Sequence, residues 1–206
     1  MCEYKTKGEM MTKYRIDENK IVKVEENILQ PNTNKQLRAL IKEEIEQKGN
    51  IADLNHIDIS KIKDLSYIFK DLEFNGDISK WDVSHVTMMS HMFEDSEFNG
   101  NISKWNVSKV VRMDGMFMSS KFNGDISKWN VSSVRYMNEM FAHSKFNRDI
   151  SKWDVSSVWF MKDMFYNSKF NGDISKWDVK GVTTQEMNRM FKDSPLEKNP
   201  PVWYNG

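Results

Sequence analysis

The sequence predicts an α/β repeat solenoid: about six 24-residue rungs, each with one short strand and one short helix, behind an N-terminal hairpin and helix. Three observations predict it. Trp81, Trp105, Trp129, Trp153 and Trp177 recur at one constant interval, which sets the length of the rung. Phe74, Phe98, Phe122, Phe146 and Phe170 keep that interval, and so do Phe69, Phe93, Phe117, Phe141 and Phe165. Within each unit the apolar period then changes from two to about 3.6 residues. A unit this short cannot bury its own apolar face, so neighbours must stack into one continuous core.

The elements follow in chain order. Residues 1–12 carry no periodic pattern and are expected to be a flexible N-terminus. A capping segment is expected over 13–50. Within it, 13–24 (KYRIDENKIVKV) predicts a hairpin turning near Asp17-Glu18-Asn19, and 34–48 (NKQLRALIKEEIEQK) predicts an amphipathic helix. Leu37, Leu40, Ile41 and Ile45 would face inward, and Gly49 would stop the helix. The repeats run over 51–194, starting from a degenerate copy in which Ile57-Asp58-Ile59-Ser60 stands for Trp-Asp-Val-Ser.

In each unit, as in Ile78 to Val83, Trp81 and Val83 alternate with Asp82, which predicts a short strand. Val86, Met89, Met92 and Phe93 then form a helical stripe. Ser84, Ser108, Ser132 and Ser156 stand where an N-cap hydroxyl belongs. The recurring Asn-Gly pairs predict turns with glycine at positive φ, a pattern that Arg148 breaks. After Trp177 the register slips by two residues, and Thr183 to Glu186 offers a replacement capping box. Pro195, Pro200 and Pro201 end the repeats, so 195–206 is expected to be a C-terminal cap closed by Trp203.

The spacing Ile-x-x-Trp-x-Val-x-x-Val mimics that of leucine-rich repeats. The full unit, FNGDISKWDVSxVxxMxxMF, closely resembles the BspA-like leucine-rich-repeat family of bacterial surface proteins over about residues 51–203. The lead-in ADLNHIDISKIKDLSYIF is similar to that family's first unit. The resemblance implies a solenoid and, for some members, adhesion to host matrix proteins or cell surfaces. It brings no catalytic residue with it.

Composition narrows the chemistry. Charged residues make up 29% of the 206 and balance to zero, so no basic surplus points to nucleic acid or to an anionic membrane surface. No apolar run reaches the roughly 20 residues of a spanning helix, so membrane insertion is not expected. The opening stretch, MCEYKTKGEMMTKYRIDENK, lacks an apolar h-region, which predicts a cytoplasmic chain without a secretory signal. A signal removed beforehand would instead place it at the cell surface. Cys2 is the one cysteine and has no internal partner.

No catalytic motif is present, and His56, His85, His91 and His143 fall at different positions of the repeat, so the chain is not expected to be an enzyme. Asp77, Asp125, Asp149 and Asp173 recur in every rung but one, which fits a turn hydrogen-bonding device better than acid–base chemistry. Each Asn-Gly-Asp turn resembles the start of a calcium loop without completing one, so no cofactor is expected and calcium stays open. The column Lys80, Lys104, Lys128, Lys152 and Lys176 is expected to be neutralised by Asp82, Asp154 and Asp178 beside it.

What varies between rungs is where partner choice can be written. The two residues after the valine that opens each helical stripe read Thr87-Met88, Val111-Arg112, Arg135-Tyr136 and Trp159-Phe160. On a helical wheel the first falls opposite the core, facing solvent, and the second on the flank, so Arg112, Arg135, Tyr136, Trp159 and Phe160 would form one outer patch across three rungs. Tyr, Trp and Arg are the residues enriched in binding hot spots. A protein partner, a contact between copies of the chain and plain surface all stay open for this patch. The function expected from the sequence is a non-catalytic protein-interaction module of the surface or adhesin type; the alternative is an intracellular scaffold or self-assembling repeat protein.

Overall fold

The computed structural model describes residues 11–17, 20–26 and 29–205. Strands β1 (Met11–Asp17) and β2 (Lys20–Glu26) pair antiparallel, with Met11 opposite Glu26 and Asp17 opposite Lys20. The chain is therefore already strand at residues 11–12, which were expected to be flexible. Residues 1–10 and Glu18-Asn19, where the hairpin turn was expected, lie outside the described residues.

Helix α1 (Asn34–Lys48) has clear local causes. The Thr33 hydroxyl accepts the Gln36 N–H at 3.2 Å, and the Gln36 side chain accepts the Asn32 N–H at 2.9 Å. Two orphan donors are thereby satisfied at the helix start. Gly49, at φ 85°, ends the helix by donating to Ile45 O. Leu37 and Ile41 are fully buried, while Leu40 and Ile45 are partly buried against the same core. Glu44 is buried too, and is held by Lys48 at 2.5 Å and His56 at 3.1 Å.

From residue 51 onward the repeat units lie side by side and parallel. Asp64, Met88, Arg112, Tyr136 and Phe160 form a continuous row of parallel bridges, each to the next. The short helix expected in each unit is not formed, and no α-helix other than α1 occurs among the described residues. The backbone amides go elsewhere. Those of Met89, His91, Phe93 and Asp95 donate to Arg112, Asp114, Met116 and Met118 of the next unit at 2.8–3.0 Å. Amides directed at a neighbouring unit are not available to carbonyls four residues back, which a helix requires.

Two consecutive β-turns take the helix's place. Met92 N–H closes one on Met89 O, and Ser120 N–H closes the equivalent of the second on Phe117 O. The third residue of each turn has positive φ, as at His91 (55°), Gly115 (57°) and Ser119 (55°), the signature of a type II turn. The strand expected over Ile78–Val83 is also absent. Trp81 N–H bonds to Ile78 O and Val86 N–H to Val83 O, so turns stand there as well. The alternation nevertheless holds, with Trp81 and Val83 buried and Asp82 exposed.

The serines expected as helix N-caps have a different role. Ser84, Ser108, Ser132 and Ser156 donate their N–H groups to Asp82, Asn106, Asn130 and Asp154 at 3.0–3.2 Å. These are Asx turns. Near the C-terminus Thr183 does accept the Glu186 N–H at 3.3 Å, one half of the expected capping box, ahead of a single 3-10 turn at Gln185–Met187.

The core is a set of parallel columns. Phe69, Phe93, Phe117, Phe141, Phe165 and Phe191 stack with centroids 5.4–5.9 Å apart. Each buried aromatic or methionine contributes about 1.5–3 kcal/mol of apolar burial. The tryptophans also have a polar role. Trp81 Nε1 donates to Leu54 O, and Trp105, Trp129, Trp153, Trp177 and Trp203 donate to the equivalent isoleucine carbonyls at 3.0–3.3 Å. An indole N–H is thus satisfied in each unit and ties it to its predecessor.

The Asn-Gly pairs are not positive-φ turns. Of the glycines, only Gly49 and Gly115 adopt positive φ among the described residues. A Cβ at Gly76, Gly100, Gly124 or Gly172 would meet the ring of its own preceding phenylalanine at 2.6–2.8 Å. At these four positions glycine serves close approach to the ring rather than dihedral freedom. Arg148 occupies the same position with its Nε bonded to Asn123 O at 2.8 Å. The asparagines themselves form a ladder. Oδ1 of Asn75, Asn99, Asn123 and Asn147 accepts the N–H of the asparagine one unit on at 2.8–3.0 Å.

Candidate interaction surface

The parallel row that replaces the expected helix also positions the variable residues. Val86 and Met89 point into the core, and the two residues between them reach the surface. In each unit both of their N–H groups share one carbonyl of the unit before. Arg135 and Tyr136 donate to Val111 O at 2.9 and 3.3 Å, and Trp159 and Phe160 donate to Arg135 O at 2.9 and 3.3 Å. Two successive side chains are thereby turned outward in every rung.

All five residues singled out in the sequence are brought together, on this row rather than on a helix face. The Arg112 guanidinium lies 4.1 Å above the Tyr136 ring, and Tyr136 stacks on Phe160 at 5.2 Å with only 4° between planes. Trp159 meets Tyr136 edge-on at 6.3 Å, and Arg135 lies over the Trp159 ring at 5.6 Å. Arg112 is fixed from behind by Asp114 at 3.0 Å. Asp114 is buried and also accepts Asn138 Nδ2, while Asn138 Oδ1 accepts the Lys162 N–H. Stacking and cation–π contacts of this kind contribute about 0.5–1.5 kcal/mol each, so the patch is held in one arrangement. Trp159 is 51% exposed, whereas the five tryptophans of the repeat column from Trp81 to Trp177 are 3–5% exposed.

A groove of about 590 Å³ adjoins the patch through Arg112 and Asp114. It runs between the N-terminal turn of α1 and the first rungs, past Asp64, Ser66, Tyr67 and His91. Sequence reading missed the cluster beside it. Glu94 is buried between Lys70 Nζ and His91 Nδ1, each at 2.9 Å, and His91 stacks on Tyr67 at 4.9 Å. The signal was available: the column of Glu94 reads Lys70, Glu94, Met118, Ala142, Tyr166, with one acid in it. The other histidines are dispersed. His56 faces Glu44, His85 Nε2 lies 3.2 Å from Ile59 O, and His143 Nδ1 lies 2.9 Å from Asn167 Nδ2.

The recurring carboxylates face their own backbone. Asp77, Asp125, Asp149 and Asp173 each accept a serine N–H two residues on at 2.8–2.9 Å. At Asp77, Asp125 and Asp173 that bond, and after it the serine hydroxyl, holds the carboxyl below the usual range. At Asp149 the serine hydroxyl leads and the N–H follows. The neighbouring lysines Lys80, Lys128, Lys152 and Lys176 add to the effect. The lysine column thus acts on the Asp77 column. Among the described residues no ion pair joins it to Asp82, Asp154 or Asp178, the neutralising partners expected from the sequence. No group of three or more His, Cys, Asp or Glu among the described residues is placed to hold a metal, and no described helix is long and apolar enough to cross a membrane.

Comparison with known proteins places the repeat. No curated protein and no solved structure matches the chain significantly. One family model matches it twice in overlapping stretches, residues 35–141 and 97–203, which together take in all but the first residue of α1 and all the repeats. On that span, the chain belongs to the family described as "Mycoplasma protein of unknown function, DUF285".

Proposed function

We propose that this chain is a non-catalytic protein-interaction module, a leucine-rich-repeat-like solenoid of the BspA-like kind. Its stacked rungs would present Arg112, Arg135, Tyr136, Trp159 and Phe160 to a protein partner at a cell surface. One observation carries the reading. Trp159 is half exposed in a chain that buries the tryptophans of its repeat column, and it sits in a pre-ordered cluster with Tyr136, Phe160 and two arginines. Exposed apolar groups gathered in one place mark interfaces, and pre-ordering reduces the entropy lost on binding. The alternative, an intracellular scaffold or self-assembling protein, uses the same patch with a second copy as its occupant.

The substitution Trp159→Ser tests this reading. The side chain is exposed, and its aromatic contacts are the edge-on Tyr136 and the Arg135 guanidinium over its ring, so melting should shift by less than about 1 kcal/mol in stability. Affinity capture with the wild-type chain from matrix-protein extracts should retain a partner that Trp159→Ser loses. Equal capture by both proteins, or a collapse of stability in the variant, overturns the proposal. Sedimentation of the two proteins separates the alternative, since a dimer present only in the wild type would assign the patch to self-contact.

A further inference from the structure

Of the five Asn-Gly pairs in the sequence, Asn205-Gly206 ends the chain and four lie in the repeats, at 75–76, 99–100, 123–124 and 171–172. Their chemical surroundings in sequence are nearly the same, and Phe-Asn-Gly-Asp is identical at 74–77, 122–125 and 170–173. Their structural surroundings differ at one point. Oδ1 of Asn75, Asn99 and Asn123 accepts the amide of the next unit, from Asn99, Asn123 and Asn147 at 2.8, 2.8 and 3.0 Å. Asn171 donates its own amide to Asn147 at 2.9 Å, but it is the last member of the ladder.

The cause lies in the register slip. Counting on from Asn171 by the lengthened interval that separates Phe165 from Phe191, the next position of the ladder is Glu197. The Glu197 N–H turns inward to Ser194 O at 3.1 Å, in the 3-10 turn that Pro195 opens. Among the described residues no donor reaches Asn171 Oδ1, and Asn171 is exposed.

We propose that Asn171 is a site of spontaneous modification, converting to aspartate and isoaspartate ahead of the other three Asn-Gly pairs of the repeats, at Asn75, Asn99 and Asn123. The Gly172 amide nitrogen loses its proton and attacks Asn171 Cγ. The new N–Cγ bond closes a cyclic imide, the Cγ–Nδ2 bond breaks, and ammonia leaves with the proton. Water then adds to either imide carbonyl, giving aspartate or isoaspartate, with no change in oxidation state. Glycine favours the attack because no side chain crowds its nitrogen. The reaction also needs the asparagine side chain to rotate onto that nitrogen. A ladder bond through Oδ1 resists this rotation at Asn75, Asn99 and Asn123 and is missing at Asn171.

Peptide mapping by mass spectrometry tests the proposal on the intact, folded chain held at mildly alkaline pH. Asn171 should convert about fivefold faster than the other three, the Boltzmann factor of one net hydrogen bond of about 1 kcal/mol. Unfolded in urea, Asn75, Asn123 and Asn171 should convert at one rate, because their flanking residues are the same. Asn171→Gln should remove the product mapped to that peptide and leave the slow ones at Asn75, Asn99 and Asn123. Conversion of Asn75, Asn99 or Asn123 as fast as Asn171 in the folded chain overturns the proposal, and so does an Asn171 that stays intact while the urea-unfolded chain reacts.

Discussion

At the scale of single residues the unusual feature is backbone conformation. Among the described residues, eleven that are not glycine have positive φ, two in every rung except the one where Gly115 takes the first position. Asp, Asn and His tolerate this region better than most, but Tyr67, Glu139 and Arg189 do not, at about 1–2 kcal/mol each. The inter-unit bonds hold them there, as when Glu139 N–H donates to Lys162 O at 2.9 Å. Glycine at such a position should relieve the strain. Glu139→Gly is expected to stabilise the chain by about 0.5–1 kcal/mol in urea denaturation, the strain relief exceeding the entropy that glycine adds to the unfolded state. The reverse change should cost more than that. A Cβ at Gly115 would take up the strained φ and also stand 2.3 Å from His91 Nδ1, in a ring already fixed by Tyr67 and Glu94. Gly115→Ala is expected to destabilise by about 2–3 kcal/mol. A neutral result in the same titration would show that the ring moves aside freely.

At the scale of elements, α1 acts as a substitute rung. In the interior, the carbonyls of Met88, Ser90, Met92 and Glu94 accept amides from the unit before. The first rung has no predecessor, and its equivalent carbonyls are met by side chains of α1. Asn34 Nδ2 donates to Asp64 O and Ser66 O at 3.0 Å each, and Arg38 donates to Ile68 O and Lys70 O at 2.8 Å each, with Tyr67 O as a further acceptor. Arg38→Ala should therefore cost about 2 kcal/mol, since several partly buried carbonyls lose a charged donor at once. Arg38→Lys should not restore it, because one ammonium cannot span carbonyls that a planar fork reaches together. Hydrogen exchange checks this: protection should fall first at Leu65, Tyr67 and Phe69, and a uniform loss along the chain would contradict the capping role.

α1 was legible in the sequence because Thr33, Gly49 and the Leu37/Ile41 face each state the same element. The short helices were misread for a definite reason. Two successive β-turns repeat every four residues, so Met89, Met92, Phe93 and Ser96 point inward just as they would on a helix. Side-chain pattern reports which face is buried, not where the amides point. The surface patch follows the same division. Trp159 and Phe160 stand outside the repeat columns, which is readable from residue types alone. That Arg112 lies on Tyr136 and Tyr136 on Phe160 depends on the parallel row, which the pattern does not encode.

At the scale of the whole molecule, repetition turns small electrostatic effects into a pH dependence. Serine N–H groups and hydroxyls hold Asp77, Asp125 and Asp173 below the ordinary carboxyl range, and serine hydroxyls and N–H groups do the same for Asp82, Asp149 and Asp154. A carboxyl whose value is lower folded than unfolded adds stability above its unfolded value of about 3.9 and loses it as pH falls through the folded one. Each group is exposed and its own effect is small, but the sites recur in successive rungs and titrate together. Their protonation also uncovers the column Lys80, Lys104, Lys128, Lys152 and Lys176, whose charges sit on adjacent rungs. Tm should therefore stay nearly level from pH 7 to about 5 and fall steeply below about 4, with added salt restoring part of the loss by screening the lysines. Asn101 already replaces the aspartate in one rung and still accepts the Ser103 N–H at 3.1 Å. The fourfold variant Asp77→Asn, Asp125→Asn, Asp149→Asn and Asp173→Asn should accordingly keep its turns at neutral pH and show a shallower acid limb. If thermal melts of variant and wild type fall with the same slope below pH 4, the acid sensitivity comes from elsewhere in the chain.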